Sequence, residues 1–264
     1  MTDTLAAAIG KQVWVDKPIW LDLSSSDPAG SREFYSKLLG WQIEVNPDPQ
    51  YGGYALAKIG GKDVAGIGPK MMAEAPTAWS IYLGTRDADA LGQKVKSAGG
   101  SLIAGPMLVG DQGTMVVFQD PSGAFISAWQ PAAMGGMVTG GAGTFGWAEL
   151  NARGIDKDLA FYKAAFGWSG RTTPMGEGQP DYTEFWLGDD RIAGGMEMNP
   201  MVPPQVPSYW MAYFNVDDVE KSFKTAVDLG AREMVSPIDF PGGRFAILTD
   251  PQGATFGILK RAPR

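Results

Sequence analysis

The sequence contains neither cysteine nor histidine in its 264 residues. The absence of cysteine excludes disulfide bonds, thiol nucleophiles and zinc–thiolate sites. The absence of histidine excludes serine–histidine and cysteine–histidine dyads, and it removes the side chain whose unperturbed pKa lies nearest neutrality. Any acid–base chemistry must therefore come from aspartate, glutamate, lysine or tyrosine, or from water.

Positive charge and long apolar runs are also scarce. The chain has 22 basic and 29 acidic residues, a formal charge of -7, and no dense cluster of lysines and arginines, which argues against a nucleic-acid surface. No apolar run reaches the roughly 18 residues that a membrane helix needs. Residues 1–11 lack the basic start of a secretory signal. We therefore expect a cytoplasmic protein that binds neither nucleic acid nor membrane.

What the sequence does contain is an internal repeat, with an offset of 127 residues over its first part. Trp20 aligns with Trp147, and the pattern FYxxxxGW begins at Phe34 and again at Phe161. A period of this size indicates two modules rather than one large domain. The predicted parts are an N-terminal tail at 1–16, a first module at 17–130, a glycine-rich linker at 131–143 and a second module at 144–264.

The later part of the repeat keeps its order while the offset drifts to 130 in loops. The stretch YALAKIGGKDVAG, which begins at Tyr54, aligns with YTEFWLGDDRIAG, which begins at Tyr182. The pattern DPxG begins at Asp120 and at Asp250. In that pattern proline fixes φ and glycine permits a positive φ, which suits a tight turn between two strands.

Apolar spacing within each copy predicts a strand, a helix, further strands, a second helix and a closing hairpin. The first helices should end at Gly40 and Gly167 in a left-handed cap. Together these elements indicate an α+β fold. The predicted helices are 31–39, 88–98, 156–166 and 216–229, and the predicted strands of the first copy are 19–23, 54–59, 64–67, 79–83, 115–119 and 125–130, with equivalents in the second.

The order of these motifs resembles the glyoxalase, bleomycin-resistance and extradiol-dioxygenase superfamily, also called the vicinal oxygen chelate superfamily. The resemblance covers about residues 17–130 and 144–260. It implies two tandem βαβββ-type modules, each with a curved mixed sheet that forms a cup for a small molecule. The two-copy layout is similar to actinobacterial tandem proteins of the metal-free type, including a mycobacterial secreted antigen and members described as hydroxylases or as accessory factors in polyketide gene clusters.

The resemblance also implies where metal-dependent members of the family hold their three ligands. One ligand lies on the first strand, one before the second helix, and one seven residues after the aspartate of DPxG. None of the residues at these positions supplies the imidazole, carboxylate or thiolate that Zn²⁺, Ni²⁺, Fe²⁺ or Mn²⁺ draws on, so we expect no metal and no cofactor. The positions hold Trp20, Ser80 and Ser127 in the first copy and Trp147, Met211 and Gly257 in the second.

Two carboxylates are the leading catalytic candidates. Asp22 and Glu149 each follow the tryptophan of the first strand by two residues, so they share its face of the sheet. Beside aromatic rings, each could have a raised pKa and act as a general base or bind an amine. The structural alternative is that each accepts hydrogen bonds from a neighbouring strand or loop.

Aromatic and polar residues on the predicted strands complete the candidate ligand-binding set. Tyr82 and Tyr213 lie two residues past the vacant ligand positions and should face the same cups, where a phenol could donate to a ligand oxygen or merely reach solvent. The strand tryptophans, Trp79 and Trp210 included, either stack on a flat ligand or pack in the core. The set is Trp20, Ser80, Tyr82, Ser127 and Trp129 in the first copy and Trp147, Met211, Tyr213 and Asn215 in the second.

Two functional hypotheses follow, and the sequence does not decide whether the protein is an enzyme. The first is a metal-independent protein that binds an apolar, aromatic or polyketide-like molecule, for sequestration, resistance or an accessory role in natural-product metabolism. The second is a cofactor-independent isomerase, cyclase or lyase, in which Asp22 or Glu149 removes a proton and Tyr82 or Tyr213 stabilises the oxyanion. Because one chain supplies both modules, we expect a monomer.

Overall fold

The computed structural model describes residues 14–262, so the segment at 1–11 and most of the predicted tail at 1–16 lie outside the described residues. The first copy consists of β1 (Pro18–Ser25), α1 (Pro28–Leu39), β2 (Gln42–Val45), β3 (Ala55–Ile59), β4 (Lys62–Pro69), β5 (Ala78–Gly84), α2 (Ala88–Ser97), β6 (Ser101–Val109), β7 (Gly113–Gln119) and β8 (Phe125–Pro131). The second copy consists of β9 (Phe145–Ala152), α3 (Ile155–Phe166), β10 (Ser169–Thr173), β11 (Tyr182–Leu187), β12 (Asp190–Glu197), β13 (Tyr209–Asn215), α4 (Val219–Asp228), β14 (Arg232–Phe240), β15 (Gly243–Thr249) and β16 (Thr255–Arg261).

Each copy therefore contains the βαβββ sequence of elements twice. The strands form two eight-stranded mixed sheets, one per copy, in the orders β2-β3-β4-β1-β5-β8-β7-β6 and β10-β11-β12-β9-β13-β16-β15-β14. The pairs β1–β4, β5–β8, β9–β12 and β13–β16 are parallel, and hairpins supply the antiparallel pairs. The predicted α+β class with two tandem modules is confirmed.

Four strands, β2, β6, β10 and β14, were not predicted. Each follows a helix and pairs through its backbone with the next strand along the chain. All five residues of β10 are exposed, and β2 has no buried residue. An edge strand of this kind carries no alternation of buried and exposed residues, so its sequence gives no period-two signal.

The helix ends follow from local hydrogen bonding. The Asp27 carboxylate accepts a bond from the backbone at the start of α1, and the helix ends at Gly40, whose φ is +73°. Gly167 ends α3 with a φ of +71°, so both predicted left-handed caps are confirmed. The last helix begins at Val219 rather than at 216, because Asp218 acts as its N-cap. None of the helices within residues 14–262 is long and apolar enough to cross a membrane.

Contacts between residues divide the described chain into two compact units. Each unit contains about half of the first copy and about half of the second. Unit I consists of residues 14–20, Ile81–Gly136 and Ala148–Trp210. Unit II consists of Leu21–Ser80, Met137–Trp147 and residues 211–262. The halves of the two copies are thus interleaved along the sequence, although each sheet belongs to one copy.

Unit II is centred on Tyr35, which is fully buried. Its ring stacks on Trp41 at 5.5 Å between centroids. The Trp79 Nε1 donates to the Tyr35 hydroxyl at 2.9 Å, and that hydroxyl donates to the Asp250 Oδ2 at 3.0 Å. A residue of the first copy is therefore bonded to the DPxG turn of the second copy.

Unit I has the same arrangement around Tyr162, which is also fully buried. Its ring stacks on Trp168 at 4.8 Å. The Trp210 Nε1 donates to the Tyr162 hydroxyl at 2.8 Å, and this hydroxyl donates to the Asp120 Oδ2 at 2.9 Å. Burial raises the pKa of the Tyr162 phenol well above its ordinary value, so the proton stays on the phenol as a structural donor.

Candidate functional site

The first predicted carboxylate, Asp22, is held by a tyrosine that reaches it across a glycine. Asp22 on β1 lies opposite Gly66 on β4. The hydroxyl of Tyr54, which directly precedes β3, donates to the Asp22 Oδ1 at 2.6 Å. A Cβ atom at residue 66 would lie 1.9 Å from that hydroxyl and 2.1 Å from the Asp22 Oδ1. The contact therefore depends on a residue without a side chain at position 66.

The second predicted carboxylate, Glu149, has the equivalent partner in unit I. Glu149 on β9 lies opposite Gly194 on β12. The Tyr182 hydroxyl, from the first residue of β11, donates to the Glu149 Oε2 at 3.1 Å. Burial raises the pKa of the Tyr209 phenol, and the negative charge of the nearby Glu149 raises it further. Glu149 is thus a buried acid beside two phenols.

Both acids lie on the sheet face that points away from the helices. Leu21 and Leu23, which flank Asp22, are fully buried, as are Ala148 and Leu150 around Glu149. Because side chains alternate along a strand, the acids face the opposite side.

The two tyrosines that bind the acids were missed from the sequence, although a signal was present. In both copies the aligned stretch begins with the tyrosine, Tyr54 or Tyr182, and ends with the glycine, Gly66 or Gly194. In the hairpin of β3 and β4, as in that of β11 and β12, the glycine lies opposite the residue two positions after the tyrosine, so the two ends of the stretch are diagonal neighbours. The repetition of this pair in both copies could have identified it.

Three of the predicted residues on β5 and β8, Tyr82, Ser127 and Trp129, lie together in unit I. Tyr82 is in register with Ser127, and Trp129 lies opposite Met115. The Tyr82 hydroxyl contacts the Met115 Sδ at 3.4 Å, while the Trp129 Nε1 donates to the Met134 carbonyl at 3.2 Å. Tyr82, Ser127 and Trp129 are all buried. Whether they touch a ligand stays a prediction.

The equivalent residues of the second copy lie in unit II. Tyr213 is in register with Gly257, and a Cβ atom at Gly257 would lie 2.0 Å from the Tyr213 ring. Trp147 is half-buried, with the Arg261 guanidinium 4.9 Å from its ring centroid. Asn215 donates from Nδ2 to the backbone carbonyl at the start of β9 at 3.1 Å, which gives it a structural use.

The remaining predicted residues differ in burial. Trp20 and Met211 are buried, whereas Ser80 is half-buried. Trp79 and Trp210 donate to the central tyrosines of the two units. These last two residues therefore match the core alternative.

The positions that would hold a metal in metal-dependent family members do not fit one. Tryptophan, serine and methionine side chains are poor ligands for the divalent metals that proteins bind through imidazole, carboxylate or thiolate. At Gly257 the Tyr213 ring already fills the space in which a ligand side chain would begin. Within residues 14–262, no three acidic side chains come together as a possible metal site.

A second pair of acids, which the sequence did not indicate, lies in unit I. Asp158 on α3 is fully buried. The backbone N–H of Ser122 donates both to the Asp158 Oδ1, at 3.0 Å, and to the Asp120 Oδ1, at 3.1 Å. Within residues 14–262, the Asp158 Oδ2 is buried without a hydrogen-bond partner. Burial, followed by the Asp120 charge, raises the pKa of Asp158 to about 7. Ser31 occupies the equivalent position on α1, so the pair is specific to unit I.

Comparisons with known proteins agree with this architecture. Residues 17–127 match the family model of the glyoxalase/bleomycin resistance protein/dioxygenase superfamily, and residues 147–259 match that of a glyoxalase-like domain. The Mycobacterium tuberculosis protein CFP32, which carries a glyoxylase name, is 37% identical over 94% of this chain and 95% of its own length. The anthracycline biosynthesis protein DnrV of Streptomyces peucetius is 38% identical over 92% of each chain.

Solved structures with the same fold share little sequence identity with this chain. The Mn(II)-bound glyoxalase of Novosphingobium aromaticivorans superposes with a TM-score of 0.64 at 15% identity, over 93% of this chain and 82% of that one. The 2,3-dioxygenase LapB of Pseudomonas sp. KL28 gives 0.61 at 15% identity, over 94% and 93%. Together with the family models and the relatives, these matches show that the chain belongs to the glyoxalase/bleomycin resistance protein/dioxygenase superfamily, as a tandem of two modules.

Proposed function

We propose that the protein binds an apolar, aromatic small molecule without a metal ion, in sequestration, resistance or an accessory role in natural-product metabolism. The observation that carries the proposal is the acid–phenol pair in each copy, in a chain whose metal-ligand positions hold no good metal ligand. Asp22 with Tyr54 and Glu149 with Tyr182 each place a carboxylate and a phenol on the face of the sheet opposite its buried alternate residues. Small-molecule sites typically orient their ligand through a few fixed polar groups of this kind.

The relatives support the class of ligand. DnrV and DauV are named for anthracycline biosynthesis, and this chain is 37–38% identical to them over nearly its whole length. Anthracyclines are built on a planar hydroxyanthraquinone core. We therefore propose a planar hydroxylated polycyclic compound as the ligand, bound by a monomeric protein in the cytoplasm.

Intrinsic tryptophan fluorescence tests the proposal, because tryptophans lie on strands of both sheets. Danthron, a dihydroxyanthraquinone, should quench the emission of the wild-type protein saturably, with the same dissociation constant before and after exhaustive treatment with EDTA. Free tryptophan amide at matched absorbance controls for inner-filter quenching. Linear quenching equal to that control, or binding that disappears with EDTA, would overturn the proposal.

A second candidate function, cofactor-independent proton transfer, is favoured by one observation. Each acid is hydrogen-bonded to a phenol, Asp22 at 2.6 Å and Glu149 at 3.1 Å, so a base and an oxyanion-stabilising donor are already adjacent. An isomerase, cyclase or lyase of this type would turn over a bound carbon acid. Asp22→Asn or Glu149→Gln should then abolish turnover while binding persists, whereas a pure binding protein shows no turnover in any variant.

A further inference from the structure

One face of unit I combines an acid with an amide donor that has no hydrogen-bond partner among the residues that the structure describes. Glu149 and Asn151 are two residues apart on β9, so their side chains project from the same face, about 7 Å apart along the strand. Ala148, Leu150 and Ala152 alternate with them and are fully buried on the side of the helices. The acid and the amide therefore share the face that carries Tyr182.

The Asn151 Nδ2 is buried and has no hydrogen-bond partner within residues 14–262. A buried donor without a partner is destabilising, and in folded proteins such a group usually pairs with a bound water, ion or small molecule. Met196, which lies opposite Asn151 on β12, offers it no strong acceptor.

The first copy lacks this feature. Ser24 occupies the position equivalent to Asn151, two residues after Asp22. Gly68 occupies the position equivalent to Met196, and the Tyr54 ring lies so close to it that a Cβ atom there would meet the ring at 2.9 Å. The two acid–phenol pairs are alike, but the amide donor belongs to the second copy alone.

We propose that Asn151 is a specificity-determining residue that donates from Nδ2 to a carbonyl oxygen of the bound molecule, with Glu149 accepting from a neighbouring hydroxyl. The inference rests on the proposed binding function and narrows its ligand to hydroxy-carbonyl aromatic compounds. Asn151 supplies only a donor at this atom, and an ionised Glu149 accepts only, so the pair is complementary to a molecule with a carbonyl and a hydroxyl on one edge. Tyr209 adds an aromatic ring beside the acid.

Two matched probes test the inference by fluorescence titration: danthron, and the dihydroxyanthracene that has the same hydroxyls but no carbonyl. Wild-type protein should bind danthron about tenfold more tightly, which is the effect of one well-placed hydrogen bond. Asn151→Leu should remove that preference, and Asn151→Ser, which installs the first-copy residue, should do the same. Ser24→Ala is the control variant and should keep the preference.

The outcomes separate this inference from the function on which it rests. If the wild type binds danthron saturably but Asn151→Leu and Asn151→Ser keep the tenfold preference, the role of Asn151 is wrong and the binding function stands. If Ser24→Ala removes the preference as well, the recognition is not specific to the second copy and the inference fails. If the wild type binds neither probe, both proposals fall.

Discussion

The hydroxyl of Tyr162 donates a hydrogen bond of 2.9 Å to the Oδ2 of Asp120. Tyr162 lies on the first helix of the second copy, and Asp120 opens the DPxG turn of the first copy. The reciprocal bond, from Tyr35 to Asp250, exists in unit II. The first helix of each copy is therefore bonded to the closing hairpin of the other copy. Each compact unit contains residues of both copies, so the copies are not independent domains.

Removal of the Tyr162 hydroxyl should destabilise the protein by about 1–3 kcal/mol, the usual effect of leaving buried polar groups unpaired. In Tyr162→Phe the Trp210 N–H loses its acceptor and Asp120 loses a donor. Tyr35→Phe removes the equivalent bonds in unit II and should have a similar effect. Urea unfolding measures both, and Tyr51→Phe serves as a control at a half-buried tyrosine. Equal stability of Tyr162→Phe and Tyr51→Phe would contradict the structural role of the buried hydroxyl.

Stability should depend on pH through Asp158. Its pKa is raised from 3.8 to about 7 in the folded protein, so the folded state binds a proton that the unfolded state releases between these values. The resulting stabilisation is complete below about pH 4 and is lost as the pH rises through about 7. Wild-type protein should therefore gain stability, through this group, when the pH falls from 8 to 5.

Asp158→Asn isolates that contribution, because asparagine mimics the protonated acid. The variant should melt about 2–4 °C above the wild type at pH 8, which corresponds to roughly 1 kcal/mol in a protein of this size. The difference should shrink at pH 5 and vanish below about pH 4, where the wild-type acid is protonated in both the folded and the unfolded state. Asp156→Asn changes an exposed acid on the same helix and should shift the melting temperature equally at both pH values. A pH-independent difference for Asp158→Asn would refute the assignment.

The Tyr54–Asp22 contact should be sensitive to Gly66. In Gly66→Ala the new methyl group would overlap both the Tyr54 hydroxyl and the Asp22 carboxylate. Displacement of the two side chains should lower the free energy of unfolding by about 1–3 kcal/mol, as overpacking usually does. Gly141→Ala should change it little, because a Cβ atom there would meet no atom of residues 14–262 within 4 Å. Chemical denaturation compares the two variants, and equal midpoints would mean that Tyr54 does not need the glycine.

Much of this architecture could be predicted from the sequence because it is repeated. The aligned FYxxxxGW and DPxG patterns indicated the helix ends, the turns and the tandem fold, and local φ requirements at Gly40 and Gly167 explain why such patterns are reliable. The edge strands could not be predicted in this way, since residues such as those of β10 are exposed on both sides and pair only through the backbone.

The candidate site was predicted only in part for a different reason. The two-residue spacing within each first strand predicted that Asp22 and Glu149 each share a face with the preceding tryptophan. Their partners, Tyr54 and Tyr182, come from two strands away in the same sheet. Such contacts depend on strand order, which the pattern of a single strand does not contain. The burial of Asp158 was missed likewise, because it faces a turn of the other copy.

A chain shortened to residues 14–136 should not remain a folded monomer. Phe34 and Tyr35 of α1 pack in unit II against Phe256 of the second copy, at 6.0 and 5.4 Å between ring centroids, and Tyr35 bonds to Asp250. Without these partners the apolar face of α1 is exposed, and burial of that surface is the main force that would drive association. A second copy of the shortened chain offers an equivalent hairpin, in which Asp120 takes the place of Asp250. We expect light scattering to report a dimer of the shortened chain and a monomer of the full chain. Tyr35→Phe should raise the dissociation constant of the shortened dimer at least tenfold. A shortened chain that is monomeric and unfolds cooperatively would contradict the interleaved fold.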